Sequence, residues 1–212
     1  MAGILDLLNS DLGKTIVNGV AGQTGQSKNK TSELLTMALP VLTQAMKRNV
    51  SSSEGAKSLM NALKDKHDGS ILDNLDGLFD GGVNEDVLQD GNKILGHVLG
   101  TKQQNVTNTL SVKSGIDSNS VAQILQVAAP ILLGLLGKQS QQQNISSQNS
   151  LENMLGGLIT NNSKKQEQSF LESILDADGD GSIIDDVADM VLGNNKKKSG
   201  LGGILGGLFG KK

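Results

Sequence analysis

Cysteine is absent from this chain of 212 residues, which excludes disulfide bonds, thiolate metal sites and a cysteine nucleophile. Tryptophan and tyrosine are also absent, and the aromatic residues are Phe79, Phe170 and Phe209. A hydrophobic core must therefore be built from aliphatic side chains. Because strands are usually rich in aromatic and β-branched residues, this composition favours helices.

The chain has neither an excess of positive charge nor a long apolar run. Its net charge of -3 argues against nucleic-acid binding, because phosphate contacts require lysine and arginine. The longest apolar run, VAAPILLGLLG at 127–137, is about half of a membrane span. The N-terminus has no basic segment, and Asp6 interrupts its apolar residues, so no signal peptide is indicated. We therefore expect a cytoplasmic protein.

The two prolines of the chain indicate an internal duplication. Pro40 lies in LLTMALPVLTQAM and Pro130 in ILQVAAPILLGLL, 90 residues further on. The segment HDGSILDNL (67–75) similarly matches GDGSIIDDV (179–187), at a spacing of 112. The sequence predicts two tandem helical repeats, at 1–90 and 91–195.

About 22 extra residues separate the matching blocks of the second repeat. We place them in a polar insertion at about 138–168, which is rich in glutamine and asparagine. The rest of that repeat contains an acidic loop at 176–187. A tail rich in glycine, leucine and lysine follows at 196–212.

Helical periodicity is clear in both repeats. Apolar residues follow a helical period at 33–47 and at 121–136, and Gly25, Gly100 and Gly115 lie where helices should end. Serines followed three residues later by Glu or Gln predict helix starts at two places. These capping pairs are Ser51 with Glu54 and Ser120 with Gln123. The predicted fold class is all-α and multihelical, with kinks or breaks at Pro40 and Pro130.

The second repeat resembles a known bacterial family. The segment at 91–138 contains an Ile-Leu-Gly-His-x-x-Gly motif, a Ser-Gly turn and an Ala-Pro-Ile helix that ends in Leu-Gly. These features are similar to the core pattern of the YidB-like family, domain of unknown function 937. The resemblance implies an all-helical fold and leaves the activity open.

The strongest chemical motif is LDADGDGSIIDDV. Asp176, Asp178 and Asp180 alternate and are followed by Gly181, as in the first half of an EF-hand or dockerin calcium loop. Carboxylates at alternate positions of a tight turn converge on one hard cation, and Ser182 would add its backbone carbonyl. The sequence therefore predicts a single Ca²⁺ site.

The twelfth loop position departs from the calcium-binding pattern, since Val187 stands where a bidentate glutamate is expected. Asp185 or Asp186 would have to close the site; otherwise the acidic turn is simply solvated. In the first repeat, Lys64 and Lys66 occupy the positions of Asp176 and Asp178, which argues against a metal there.

No other motif indicates catalysis, and we expect no enzymatic activity. His97, beside Leu95 and Val98, is expected to be a packed structural residue, whereas His67 is expected to be solvated. The segment at 105–125 is similar to a helix-turn-helix, but its second helix begins without lysine or arginine. We therefore interpret it as an ordinary helical hairpin and expect no nucleic-acid partner.

The tail offers a different class of function. Apolar residues at helical spacing in 201–209 form a stripe, with lysines at both ends of the segment. Glycines on the opposite face disfavour a helix in water. The stripe could bind a protein partner or a second copy of the chain, or form weak peripheral membrane contacts. The alternative is a plain flexible tail.

Overall fold

The computed structural model describes residues 4–160 and 174–175, and every regular element in them is helical. In the first repeat the α-helices are α1 (Ile4–Asn9), α2 (Asp11–Thr24), α3 (Lys28–Asn49), α4 (Ser53–Asp65) and α5 (Leu75–Phe79). They are followed by α6 (Glu85–Leu99), α7 (Gln103–Ser114), α8 (Ser118–Gln142) and α9 (Gln148–Thr160). Short 3-10 helices occupy Ser70–Asn74 and Gly100–Lys102. The predicted all-α class is confirmed for this part of the chain.

Helix order is the same on both sides of the duplication. Helix α3 begins at Lys28 and α8 begins 90 residues later at Ser118. The helices before them, α2 and α7, end at the glycines that the sequence indicated. Gly25 and Gly115 both have left-handed backbones, with φ of 65° and 64°, which residues with a Cβ rarely adopt.

The prolines do not break the helices that contain them. Pro40 lies inside α3 and Pro130 inside α8, and both helices continue past them. The predicted helix break is therefore wrong, while a kink stays a prediction. Burial explains the continuity, because Pro130 and the residues around it are packed against neighbouring helices, which offsets the lost backbone bond.

The two repeats interleave around α3 and α8. Helix α2 of the first repeat packs on α8 of the second, and α7 of the second repeat packs on α3 of the first. In the same reciprocal way α4 packs on α8, and α9 packs on α3. The aliphatic residues of both repeats consequently form one continuous core.

Helix α8 is the central element of this core. The helix has 25 residues, and by length and composition it could cross a membrane. Its longest uninterrupted apolar run is much shorter than a membrane span. However, 72% of its apolar window is buried inside the protein. Packing by the other helices therefore accounts for its apolar composition.

Glycines allow the closest helix contacts. A Cβ atom at Gly91 of α6 would lie 1.8 Å from the backbone oxygen of Gln126 in α8. A Cβ at Gly137 of α8 would lie equally close to the backbone oxygen of His67, which follows α4. Backbone atoms cannot move aside as a flexible side chain can, so α6 and the turn after α4 depend on these glycines to reach α8.

Helix starts differ by one to three residues from those expected. The cap of α4 is Ser52 rather than Ser51, and its hydroxyl accepts a hydrogen bond from the Gly55 N–H. The cap of α8 is Asp117 rather than Ser120, and the Asp117 carboxylate accepts from the Ser120 N–H. An aspartate is as good a cap as a serine, so the capping-box pattern alone selected the wrong residue.

Thr31 is a buried polar residue whose hydroxyl has no hydrogen-bond partner among the described residues. The equivalent residue of the second repeat is Val121, which is also fully buried. Because an unpaired buried hydroxyl is costly, Thr31→Val is expected to raise the free energy of unfolding by about 1–2 kcal/mol in urea denaturation.

Thr43→Val provides the control for this prediction. Thr43 is equally buried, but its hydroxyl donates to the Leu39 carbonyl at 2.8 Å. Its replacement should therefore not stabilise the protein. Equal losses of stability in the two variants would show that the Thr31 hydroxyl is satisfied.

Candidate functional site

The acidic loop of the second repeat lies outside the described residues. This applies to all of the predicted calcium ligands: Asp176, Asp178, Asp180, Ser182, Asp185 and Asp186. It applies also to the tail at 196–212, whose contacts with a partner or membrane stay a prediction. The structure does describe the two residues before the loop, Ile174 and Leu175, which are helical and buried. Lys102 Nζ donates a hydrogen bond to the Leu175 carbonyl, so the chain is anchored directly before Asp176.

The first repeat contains a described counterpart of this loop. Asp68, equivalent to Asp180, accepts a hydrogen bond from the Ser70 N–H at 3.0 Å. Gly69 lies between them with φ 109°, and a 3-10 helix begins at Ser70. The hydrogen bond from the Ser70 backbone holds the pKa of the Asp68 carboxyl below its ordinary value. The matched sequence therefore forms a tight turn with its carboxylate fixed by the backbone.

This turn packs on the small-residue face of α8. The Gly137 backbone lies against the His67 carbonyl, and Gly134 lies against the Ile71 side chain. Gln141 Nε2 donates to the Asp68 carbonyl at 3.0 Å. Contacts with Gly134, Gly137 and Gln141 of α8 therefore hold the turn of the first repeat in place.

Lysines occupy the first two ligand positions of the first-repeat turn. Lys64 lies in the last turn of α4, and Lys66 is its C-cap residue. In residues 4–160 and 174–175, no group of three or more His, Asp or Glu side chains could hold a metal ion.

The described residues form a groove of 740 Å³ between α4 and α6. Its apolar lining comes from α3, α4, α6 and α8: Met46, Leu59, Ile94, Val98 and Leu133, with Val50 just after α3. Charged side chains also line it: Arg48, Glu54, Asp65, Lys66, Asp90 and Lys93. Both histidines of the chain also line the groove, which the sequence did not suggest.

His67 lies at the end of the groove, where α4 ends and the turn begins. It is only 8% exposed, and its Nε2 lies 3.6 Å from Oδ2 of Asp90 in α6. Burial lowers the pKa of His67 below 6.5, and this effect outweighs the opposing attraction of Asp90. The expectation of a solvated His67 is therefore wrong, because the chain folds back after α4 and packs the ring against α6.

His97 has the opposite environment to the one expected. It is exposed, because its neighbours Leu95 and Val98 point to other faces of α6. The end of α6 is instead held by Asn49, whose Nδ2 donates to the carbonyls of His97 and Val98 at 3.1 and 3.2 Å. The predicted structural role of the His97 side chain is therefore wrong.

The segment similar to a helix-turn-helix forms the α7–α8 hairpin. Its turn contains Gly115, and the buried residues of α8 begin at Val121. A recognition helix needs an exposed face for the DNA groove, whereas the centre of α8 is enclosed by other helices. This packing favours the hairpin interpretation.

The fold and the groove define a multihelical protein of two interleaved repeats. A family model described as bacterial protein of unknown function (DUF937) matches residues 6–139 and 140–212, and the chain belongs to this family. The two matched segments meet within α8, so their division differs from the predicted repeats at 1–90 and 91–195. None of the curated proteins and none of the solved structures matches the chain.

Proposed function

We propose that this protein is a non-enzymatic member of its family that binds one Ca²⁺ ion in the acidic loop of the second repeat. The proposed ligands are Asp176, Asp178, Asp180 and the backbone carbonyl of Ser182, with Asp185 or Asp186 closing the site. The ion would have a structural role and fix the chain that follows Leu175.

The proposal depends on the comparison between the two turns. In the first repeat, Lys64 and Lys66 precede a turn whose Asp68 carboxylate is already held by the Ser70 N–H. In the second repeat, aspartates replace both lysines, so that three carboxylates fall within five residues. Their mutual repulsion is relieved by a hard cation that accepts oxygen ligands.

The anchored start of the loop supports the same proposal. Leu175 is buried, and its carbonyl accepts a hydrogen bond from Lys102. A loop that begins at a fixed point loses less conformational entropy when a metal ion orders it than a loop that begins in a mobile segment. Because the bidentate glutamate is missing, we expect a dissociation constant of about 10⁻⁵–10⁻³ M.

The non-enzymatic part of the proposal is based on the sequence, which contains no catalytic motif. His67 and Asp90 form a histidine–carboxylate pair, the type of pair that activates a nucleophile in many hydrolases. Within the described residues, no serine or threonine hydroxyl is hydrogen-bonded to the His67 ring.

Calorimetric titration of the full chain, after treatment with a chelator, tests the proposal. Calcium is expected to bind to one site, because the first repeat has lysines at two ligand positions. Magnesium should bind more weakly, since it requires a near-ideal octahedron of ligands and dehydrates reluctantly. Two equivalent calcium sites, or no heat of binding at millimolar calcium, would contradict the proposal.

A further inference from the structure

The backbone on both sides of the His67 ring is firmly held. The His67 N–H donates to the Ala62 carbonyl at 2.9 Å, which closes the end of α4. The His67 carbonyl lies against Gly137 of α8, with no room for a Cβ between them. Because the ring is only 8% exposed, its full hydration requires either a rotation of the side chain into the groove or departure of the turn from α8.

Charged groups approach the ring from several elements. Asp90 of α6 is nearest, at 3.6 Å, and its side chain is 38% exposed. Within the turn itself, Asp68 attracts a charged ring and Lys66 repels it. Other titratable or charged groups of the groove and of α8 lie around this site: Asp65 of α4, Lys93 and His97 of α6, and Lys138 of α8, which faces Asp73 at 3.9 Å.

Burial outweighs the attractive groups. It lowers the pKa of His67, with Lys66 acting in the same direction, while Asp90 and Asp68 oppose both. The ring therefore favours its neutral form more strongly than an ordinary solvated imidazole does. A protonated ring would be an incompletely solvated cation, which the partly exposed Asp90 and the turn's own Asp68 compensate only in part, so the arrangement is costly unless the ring reaches water.

We propose that His67 is an acid-sensitive latch: the neutral ring holds the turn at 67–72 between α6 and α8, and protonation of the ring releases this turn from α8. Release would open the end of the groove between α4 and α6. The latch lies in the first repeat, whereas the proposed calcium ligands lie in the second, so the two proposals concern different residues.

The direction of the pH effect follows from linkage. The latched ring binds a proton less tightly than a released ring, whose pKa is close to 6.5. The latched state is thus fully stable above pH 6.5 and loses stability as the pH falls through the lowered pKa of the buried ring. Over that interval the opening equilibrium increases by at most about tenfold per pH unit.

Two NMR measurements on the full chain test the latch. The chain has only two histidines, so the His67 ring signal is the one that remains in the His97→Gln variant. Its titration midpoint is expected below pH 6.5. Hydrogen exchange of the His67 and Leu72 amides, corrected for intrinsic rates, should accelerate with the same midpoint, because these amides bond to Ala62 and Gly69. The side-chain amide signal of Gln141 should shift with that midpoint as well, because its Nε2 donates from α8 to the Asp68 carbonyl of the turn.

Variants separate the latch from general acid unfolding. Asp90→Asn should lower the titration midpoint of His67, because the neighbouring negative charge is lost. The proton affinity of the ring should fall by about threefold to tenfold. His67→Gln should remove the acceleration near the histidine midpoint, and His97→Gln should retain it. Protonation of Asp68 also loosens the turn, but at much lower pH, because the Ser70 hydrogen bond lowers the pKa of Asp68.

Three results would overturn the latch. The first is a His67 midpoint at or above 6.5, and the second is an unchanged midpoint in Asp90→Asn. The third is acid-dependent exchange of these amides that persists in His67→Gln. If His67→Gln does not fold, the first two results still decide, because Asp90 is partly exposed and its replacement leaves the packing of α6 in place.

Discussion

Replacement of Gly91 by alanine is expected to lower the free energy of unfolding by about 3 kcal/mol or more. The new Cβ would lie 1.8 Å from the Gln126 backbone oxygen, so α6 would have to move away from α8. Ile94 and Leu95, one turn further along α6, are buried in the core that this movement would open. Urea denaturation followed by circular dichroism measures the loss.

Gly96→Ala is the matched control on the same helix. No described atom lies within 4 Å of a Cβ at Gly96, and the residue is exposed. Alanine has a higher helix propensity than glycine, so this variant should be stabilised by about 0.5–1 kcal/mol. Similar effects of the two substitutions would show that α6 and α8 do not approach as closely as the structure has them.

The double substitution Asp176→Ala/Asp178→Ala is expected to abolish calcium binding. It removes two of the three alternating carboxylates, which leaves too few oxygen ligands for a cation that takes six to eight. In calorimetry the heat of binding should disappear, and any remaining affinity should fall at least a hundredfold.

The double variant Asp65→Ala/Asp73→Ala is the matched control for this experiment. It removes two exposed carboxylates beside the corresponding turn of the first repeat, so the net charge of the protein changes equally. Calcium binding should be retained in full. Full binding by Asp176→Ala/Asp178→Ala, or equal losses in both variants, would show that the acidic loop is not the site.

Local sequence signals predicted most of the helical elements. The periodic segments at 33–47 and 121–136 are the centres of α3 and α8, and Gly25, Gly100 and Gly115 follow helix ends. These signals succeed because helix periodicity and glycine end caps depend on residues within one or two turns. The starts of α4 and α8 were less accurate, since several serines and aspartates compete for each cap.

The two histidines show where sequence reasoning failed. Apolar neighbours suggested a packed His97, and acidic neighbours suggested a solvated His67, yet the structure reverses both. The partner of His67 is Asp90, 23 residues away on another helix, and the backbone that encloses it belongs to Gly137. No pattern of adjacent residues contains that information.

The sequence by itself determined the helical class, through its aliphatic and aromatic-poor composition, and the order of helices, through its duplication. Only the tertiary structure decided how the repeats combine: α2 packs on α8 while α7 packs on α3, and the groove forms where α4 meets α6. The physical reason is the separation in sequence over which each effect acts. Propensity, capping and periodicity act over a few residues, whereas burial and the pKa of His67 depend on helix faces from segments that are far apart in the chain.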